Sequence, residues 1–319
     1  MDISIDKSTS SSLNRGYLIA LTGVMFWSWT GILISYLLKH YPLMPMTLAV
    51  WRDLFVTGAL IVGLWLFKRT ALHIEPRQRW MLVLYGVSLT VMNVTWTFSV
   101  ALNGAAVSTV MVYASPGITA LAARVFFKER VSVIRIVAFA GSLAGCVLVA
   151  KANDPAQWNL NAGGILVGLA SAFGFTFYSM MGKVTSQRKI NSWTATLSAF
   201  TVAAIALLPI AAITAALARA TASPLDDLTR YSLLSLGTQL DGWLILLILA
   251  VIPTIGGFGL YTASLGHLSA GTANLIATLE PVLTTLLAYL LLRESLNTTQ
   301  LLGGAFIVAS VISLRLEER

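Results

Sequence analysis

The chain has 319 residues, of which 57% are hydrophobic and only 11% charged, with a mean hydropathy of +0.80. Soluble domains carry about 25% charged residues, so a soluble globular domain is excluded. The long apolar runs exclude a β-barrel, whose strands are short and alternate. The formal charge of +8 sits in short loops between apolar runs, which is the pattern of cytoplasmic Lys and Arg in membrane proteins and not of a nucleic-acid surface.

In chain order, residues 1–15 are Ser-rich with Asp2, Asp6, Lys7 and Arg15, and are expected to form a disordered polar tail. The first apolar run is too long for a signal-peptide core of 7–15 residues and contains Trp27 and Trp29. It is expected to be a retained helix. Ten spans are expected, at 16–38, 45–67, 79–101, 104–126, 131–150, 162–183, 192–218, 241–263, 270–292 and 297–315. Each approaches the roughly 20 apolar residues needed to cross a bilayer. One long loop, 219–240, carries Pro224, Asp226, Asp227 and Arg230, with Leu228, Tyr231 and Leu234 at a spacing suited to the membrane surface. Cys146 is the only cysteine, so no intramolecular disulfide exists; a small core residue is expected there.

Two stretches align without gaps. Trp96, Ser99, Ala105 and Pro116 match Tyr261, Ser264, Ala270 and Pro281, each 165 positions later (281 − 116). Thirteen residues past each proline stands a glutamate, in Lys128-Glu129-Arg130 and Arg293-Glu294. Earlier in the unit, Gly16-Tyr17-Leu18 and Trp27 match Gly164-Ile165-Leu166 and Phe175 at an offset of 148 (175 − 27). The chain therefore reads as two five-helix units, 16–150 and 162–315, joined by a linker at 151–161 and followed by a short end, 316–319. Five is odd, so the units should lie in opposite orientations. With the N-terminus inside, 15 of the 21 Lys and Arg fall on the inner side and 5 on the outer, with Arg52 inside a span. Both termini are expected in the cytoplasm. Inverted repeats are an architecture of secondary transporters, with substrate at the midplane between halves.

This pattern resembles the drug/metabolite transporter superfamily, and within it the EamA branch. The residues that carry the likeness are Phe26-Trp27-Ser28, Arg52 after Pro45, and Ala105-Ala106 with Pro116 and Lys128-Glu129-Arg130. They are joined by Ala270-Gly271 with Glu280-Pro281 and Arg293-Glu294, and by Gly141, Gly145, Gly303 and Gly304. The resemblance covers about 16–315 and is nearest to the YddG-type amino-acid exporters. It implies export of amino acids or other small metabolites across a bacterial inner membrane, by a chain expected to act as a monomer. The first helix has no acidic residue, unlike the small multidrug branch.

Glu280 is the sharpest intramembrane feature, because a mid-span carboxylate is costly and usually faces the bundle interior. It could take a proton or a substrate ammonium, or tie down backbone freed by Pro281. Its counterpart is Ser115. Pro116 and Pro281 break the helix ladder and are expected to act as hinges or gates. Trp27, Trp96, Tyr113, Phe175, Tyr178 and Tyr261 fall inside helices, not at the interfacial ends, and are expected to wall the substrate site. Asn93, Trp96 and Thr97 share one helical face. Asn93 and Asn274 are polar at depth and could bind substrate or neighbouring helices. Arg52-Asp53 is expected to be a local ion pair, with binding of a substrate carboxylate as the alternative. The glycines at 141, 145, 256, 257, 259, 303 and 304 should allow close helix approach.

The sequence has no Walker loop, no HExxH and no cysteine pair, so neither an ATP motor nor a metal or other cofactor is expected. The expected partners are a small-molecule substrate and the lipid bilayer. A lipid-modifying enzyme would need His, Asp or Glu clustered at one interface, which is absent. A receptor or scaffold would leave the inverted duplication without a purpose. A carrier of another small organic solute or drug is the nearer alternative.

Overall fold

A computed structural model describes residues 3–128, 132–152, 154, 161–221, 232–234, 236–292 and 295–318. Ten helices run through it. They are α1 (Ile3–His40), α2 (Pro45–Phe67), α3 (Pro76–Gly104), α4 (Val107–Phe126), α5 (Val133–Val149), α6 (Ala162–Gln187), α7 (Ser192–Ala220), α8 (Leu240–Ser264), α9 (Ala270–Leu291) and α10 (Thr298–Glu317). Nine of these, α1 counted from Ser11, are long and apolar enough to cross a membrane among the described residues, and α5 is shorter at 17 residues. The chain is an all-α, polytopic membrane protein.

The tail expected to be disordered instead continues α1 back to Ile3. Its side chains find partners: Leu13 packs against the core, Ser12 bonds His267 at 3.0 Å, and Arg315 donates to Asn14. Glu129, Arg130, Arg293 and Glu294, most of the linker, and loop residues 222–231 lie outside the described residues.

The helix breaks follow the duplication. α4 is interrupted at Tyr113 and Ala114 and resumes at Ser115; α9 is interrupted at Thr278 and Leu279 and resumes at Glu280, 165 residues later (280 − 115). Each proline is the second residue of the resumed segment, where its missing N–H breaks no helical bond. α5 and α10 start at the same offset (298 − 133). So do the two breaks that precede α4 and α9. Gly104 turns the chain with φ +80°, a conformation that favours glycine, and Ser269 caps the Thr272 amide at 3.1 Å. The sequence pattern did not foretell the π turn at Ala250–Thr254 in α8. Pro253 lacks an amide to continue the ladder, and the chain widens there.

Packing crosses between the halves. α3 lies on α6, α1 on α8, α2 on α7, α4 on α9, and α5 on α10. Exchanging the first five helices for the last five maps this set of pairs onto itself. Lipid tails give no hydrophobic reason for helices to associate, so close fit and interhelical hydrogen bonds must hold them. A methyl added at Gly145 would lie 2.6 Å from the Gly303 carbonyl oxygen, and one at Gly303 would lie 2.7 Å from that of Gly145. Ser99 donates to the Gly164 carbonyl at 3.0 Å, and a methyl on Gly174 would meet the Met92 backbone at 2.8 Å. Gly256, Gly257 and Gly259 admit Phe26, Trp27 and Trp193, whereas Gly304 has room to spare.

Candidate functional site

Both termini lie at one end of the bundle, because the Tyr17 hydroxyl of α1 donates to Glu318 at 2.8 Å. A cavity of about 730 Å³ opens toward the other end. Its mouth is formed by Leu38 and Lys39 at the end of α1, Pro45 at the start of α2, Val100 late in α3, and Ala150 after α5. Its depth is lined by Trp27, Tyr113, Phe175, Phe258 and Glu280. Residues of both halves thus meet at its base.

The base is an aromatic cluster. Trp27 meets Phe258 edge-on at 4.5 Å between ring centres and lies 5.5 Å from Tyr261 and 6.0 Å from Phe175. Toward the termini the bundle is closed. Tyr85 stacks on Tyr178 at 4.4 Å, and their hydroxyls bond the Thr262 hydroxyl at 2.9 and 3.2 Å. The Tyr261 hydroxyl bonds Ser179 at 2.6 Å.

Glu280 heads the resumed segment of α9, where the positive end of the helix dipole favours a carboxylate. The Tyr113 hydroxyl, from the matching break in α4, donates to Glu280 Oε2. No salt bridge reaches Glu280 among the described residues. Arg52, the buried cation of the wall, is already committed. Its Nε donates to Asp53 Oδ1 at 2.9 Å, its Nη2 lies 2.9 Å from the same oxygen but out of hydrogen-bonding alignment, and Asn93 donates to Asp53 Oδ2 at 3.3 Å. Arg52 and Asp53 therefore compensate each other, and the carboxylate of Glu280 is left facing a largely apolar cavity with a tyrosine as its partner. Such an arrangement can hold an ammonium group or a proton, with aromatic faces for an apolar or cationic body.

Of the residues expected to form the site, Trp27, Asn93, Trp96, Tyr113, Phe175, Glu280 and Pro281 line the cavity. Asn93, Trp96 and Thr97 all do so, as their shared face requires. Ser115, Pro116, Tyr178, Tyr261 and Asn274 lie outside its lining. Ser115 donates to Asn274 Oδ1 at 3.0 Å, and Asn274 donates to Thr119 at 2.9 Å and Ser179 at 3.2 Å. That network ties α4, α6 and α9 together. Thr30 and Phe258 also line the cavity and were not among the expected residues. Thr30, whose buried hydroxyl has no partner among the described residues, lies one helical turn after Trp27, so helical spacing could have found it. Phe258 sits inside a glycine-rich run that reads as packing.

A ten-helix apolar bundle around one deep cavity is the build of a multi-pass membrane carrier. The EamA-like transporter family matches residues 14–151 and again residues 162–316, and the chain belongs to that family. It is a secondary transporter of small metabolites in the drug/metabolite transporter superfamily, and not an enzyme. The uncharacterized inner membrane transporter YicL of Salmonella typhimurium is 23% identical over 313 residues, 97% of either chain. A probable amino-acid metabolite efflux pump of the same organism is 25% identical over 296 residues, 92% of either chain. An uncharacterized transporter of Clostridium kluyveri is 24% identical over 307 residues, 94% of this chain and 93% of that one. A solved crystal structure at 17% identity superposes with a TM-score of 0.72 over 96% of this chain and 99% of the other, which carries the fold alone.

Proposed function

We propose that the protein exports amino acids, or closely related amine-bearing metabolites, across a bacterial inner membrane by alternating access. The single observation behind the substrate class is Glu280 with Tyr113 at the base of an aromatic-walled cavity, with no basic side chain paired to it among the described residues. A substrate ammonium supplies the missing positive charge, and Trp27, Trp96, Phe175 and Phe258 accept a range of side chains. The likeness to a relative described as a probable amino-acid metabolite efflux pump, and to one described as an inner membrane transporter, supports the reading.

The two five-helix units are proposed to be inverted repeats, supported by the 165-residue register of their breaks and by pairing that exchanges the halves. With the termini in the cytoplasm, as the Lys and Arg distribution favours, the cavity mouth faces outward. Pro116 and Pro281 are the proposed hinges, because each stands where α4 or α9 is already interrupted. The sequence motifs support a place among the YddG-type exporters. Cells expressing the chain should resist toxic amino-acid analogues. Equal sensitivity with and without well-folded protein in the membrane would contradict the amino-acid assignment and leave another small organic solute as cargo.

A further inference from the structure

A second pocket, of about 270 Å³, lies at the termini end. It is lined by Arg15 of α1, Thr185 and Ser186 of α6, Ser192 of α7, Thr262 of α8 and His267 beyond α8, among others. Its position in the repeat is informative. Thr262 stands 165 residues after Thr97 (262 − 97), and Ser186 stands 148 after Leu38 (186 − 38). Thr97 and Leu38 both line the central cavity. Two positions that line the central cavity in the first unit thus line the second pocket in the second unit, where Arg15 and Ile19 of α1 complete its wall.

The residues between the two spaces obey the same register. Thr30 and Trp96 line the central cavity, and their counterparts are Tyr178 (178 − 30 = 148) and Tyr261 (261 − 96 = 165). Those tyrosines are 0% and 2% exposed, and Thr262 is 2% exposed. Equivalent positions are thus open in one half and packed shut in the other. The closure is made of specific bonds: Tyr85 and Tyr178 to Thr262, Tyr261 to Ser179, and Lys183 Nζ to the carbonyls of Leu265 and Leu268 at 3.0 and 2.7 Å.

From this we infer that the second pocket is the other mouth of the substrate path, and that the Tyr85–Tyr178–Tyr261 layer is the plug between it and the central cavity. The inference rests on the alternating-access reading. It adds a chemical difference between the two spaces. The central cavity is largely apolar with an aromatic base, whereas the second pocket sets Arg15, Thr185, Ser186, Ser192, Thr262 and His267 beside only Ile19, Ile190 and Ala263. The aromatic base is the better site for the body of the substrate, so the second mouth serves passage and not storage.

Cys146 is the only cysteine, so Cys146→Ser gives a thiol-free chain for site-directed labelling with a membrane-impermeant thiol reagent. Thr30→Cys reports the central cavity and Ser186→Cys the second pocket, each in sealed vesicles of either orientation. Ser186→Cys should label from the termini face, and Thr30→Cys from the opposite face. Adding Tyr178→Ala should speed termini-face labelling of Thr30→Cys about tenfold or more. The shape-preserving pair Tyr85→Phe and Tyr178→Phe, which removes both hydroxyls that hold Thr262, should speed it several-fold. The inference is overturned if both plug variants leave termini-face labelling of Thr30→Cys unchanged while opposite-face labelling shows a folded protein. It is also overturned if Ser186→Cys fails to label from the termini face. Labelling needs no substrate, so a chain that carries no amino acid yet labels as stated would sink the substrate reading and leave the path standing.

Discussion

Glu280→Gln keeps the side chain's size and its place at the head of the resumed α9 segment, and removes its charge. In the wild type the Tyr113 hydroxyl donates to one carboxylate oxygen, and no cation is paired with the group among the described residues. A substrate ammonium bound there makes a charge-assisted hydrogen bond, worth about 1.5–3 kcal/mol net. At about 1.4 kcal/mol per tenfold, the glutamine variant should raise the half-saturation concentration for amine substrates about 10- to 100-fold. The gross Coulomb attraction at contact is larger, about 4 kcal/mol at an effective dielectric of 20. Desolvation of both ions offsets much of it, so the lower range is the one to expect. The assay is uptake kinetics in proteoliposomes with an amino acid and with the matching carboxylic acid that lacks the amine. Glutamine should penalise the first and spare the second. Tyr113→Phe should have a smaller effect in the same direction, since it removes only the group that positions the carboxylate. Half-saturation for every amine substrate within twofold of wild type would refute the assignment of Glu280 as the ammonium partner.

Other outcomes follow from the packing and the breaks. Gly145→Ala forces a methyl to 2.6 Å from a backbone carbonyl of the facing helix; overpacking of this kind costs about 1–3 kcal/mol, so the melting temperature in detergent should fall. Gly304→Ala, whose nearest neighbour is a Val282 methyl at 3.5 Å, should leave it unchanged. Asp53→Asn strands the buried Arg52 and should cost about 3–5 kcal/mol, seen as loss of folded protein on size-exclusion chromatography, with Arg52→Met/Asp53→Leu recovering folded protein. Pro116→Ala and Pro281→Ala restore the amides missing after each break and should lower the maximal transport rate while half-saturation stays near wild type. Unchanged rates in both would remove the hinge role.

Ten apolar helices and their approximate ends were legible, nine of them long enough to span, because hydropathy and length are strong signals in a membrane chain. The 165-residue register was legible from side chains alone, and the helix breaks at Tyr113–Ala114 and Thr278–Leu279 fall just before the two prolines that indicate them. The helical course before residue 16 was not, because the partners of Ser12 and Asn14, His267 and Arg315, are far away in sequence. The π turn at Ala250–Thr254 was missed because one proline in an apolar run does not say whether the helix kinks or widens. Within the site, polar residues at depth were easy to pick and hard to assign. Glu280 and Asn274 look alike in sequence, yet one faces the cavity and the other ties three helices together. Mid-span aromatics were equally ambiguous, since Trp96 and Tyr261 occupy the same register and only Trp96 lines the open space. Tertiary packing separates such pairs, burying Tyr261 at 2% exposure while Trp96 lines the cavity, and sequence alone does not show that packing.

Counterflow in proteoliposomes bears most directly on the proposal that this chain carries amino acids through a cavity shared by its two halves. Vesicles preloaded with an unlabelled amino acid are diluted into a trace of the labelled one, across a panel and at two pH gradients. A transient accumulation of label above equilibrium, saturable and shifted to higher concentration by Glu280→Gln, is the expected result. Absence of any overshoot across the panel, from protein that remains folded and oriented in the vesicles, would contradict it.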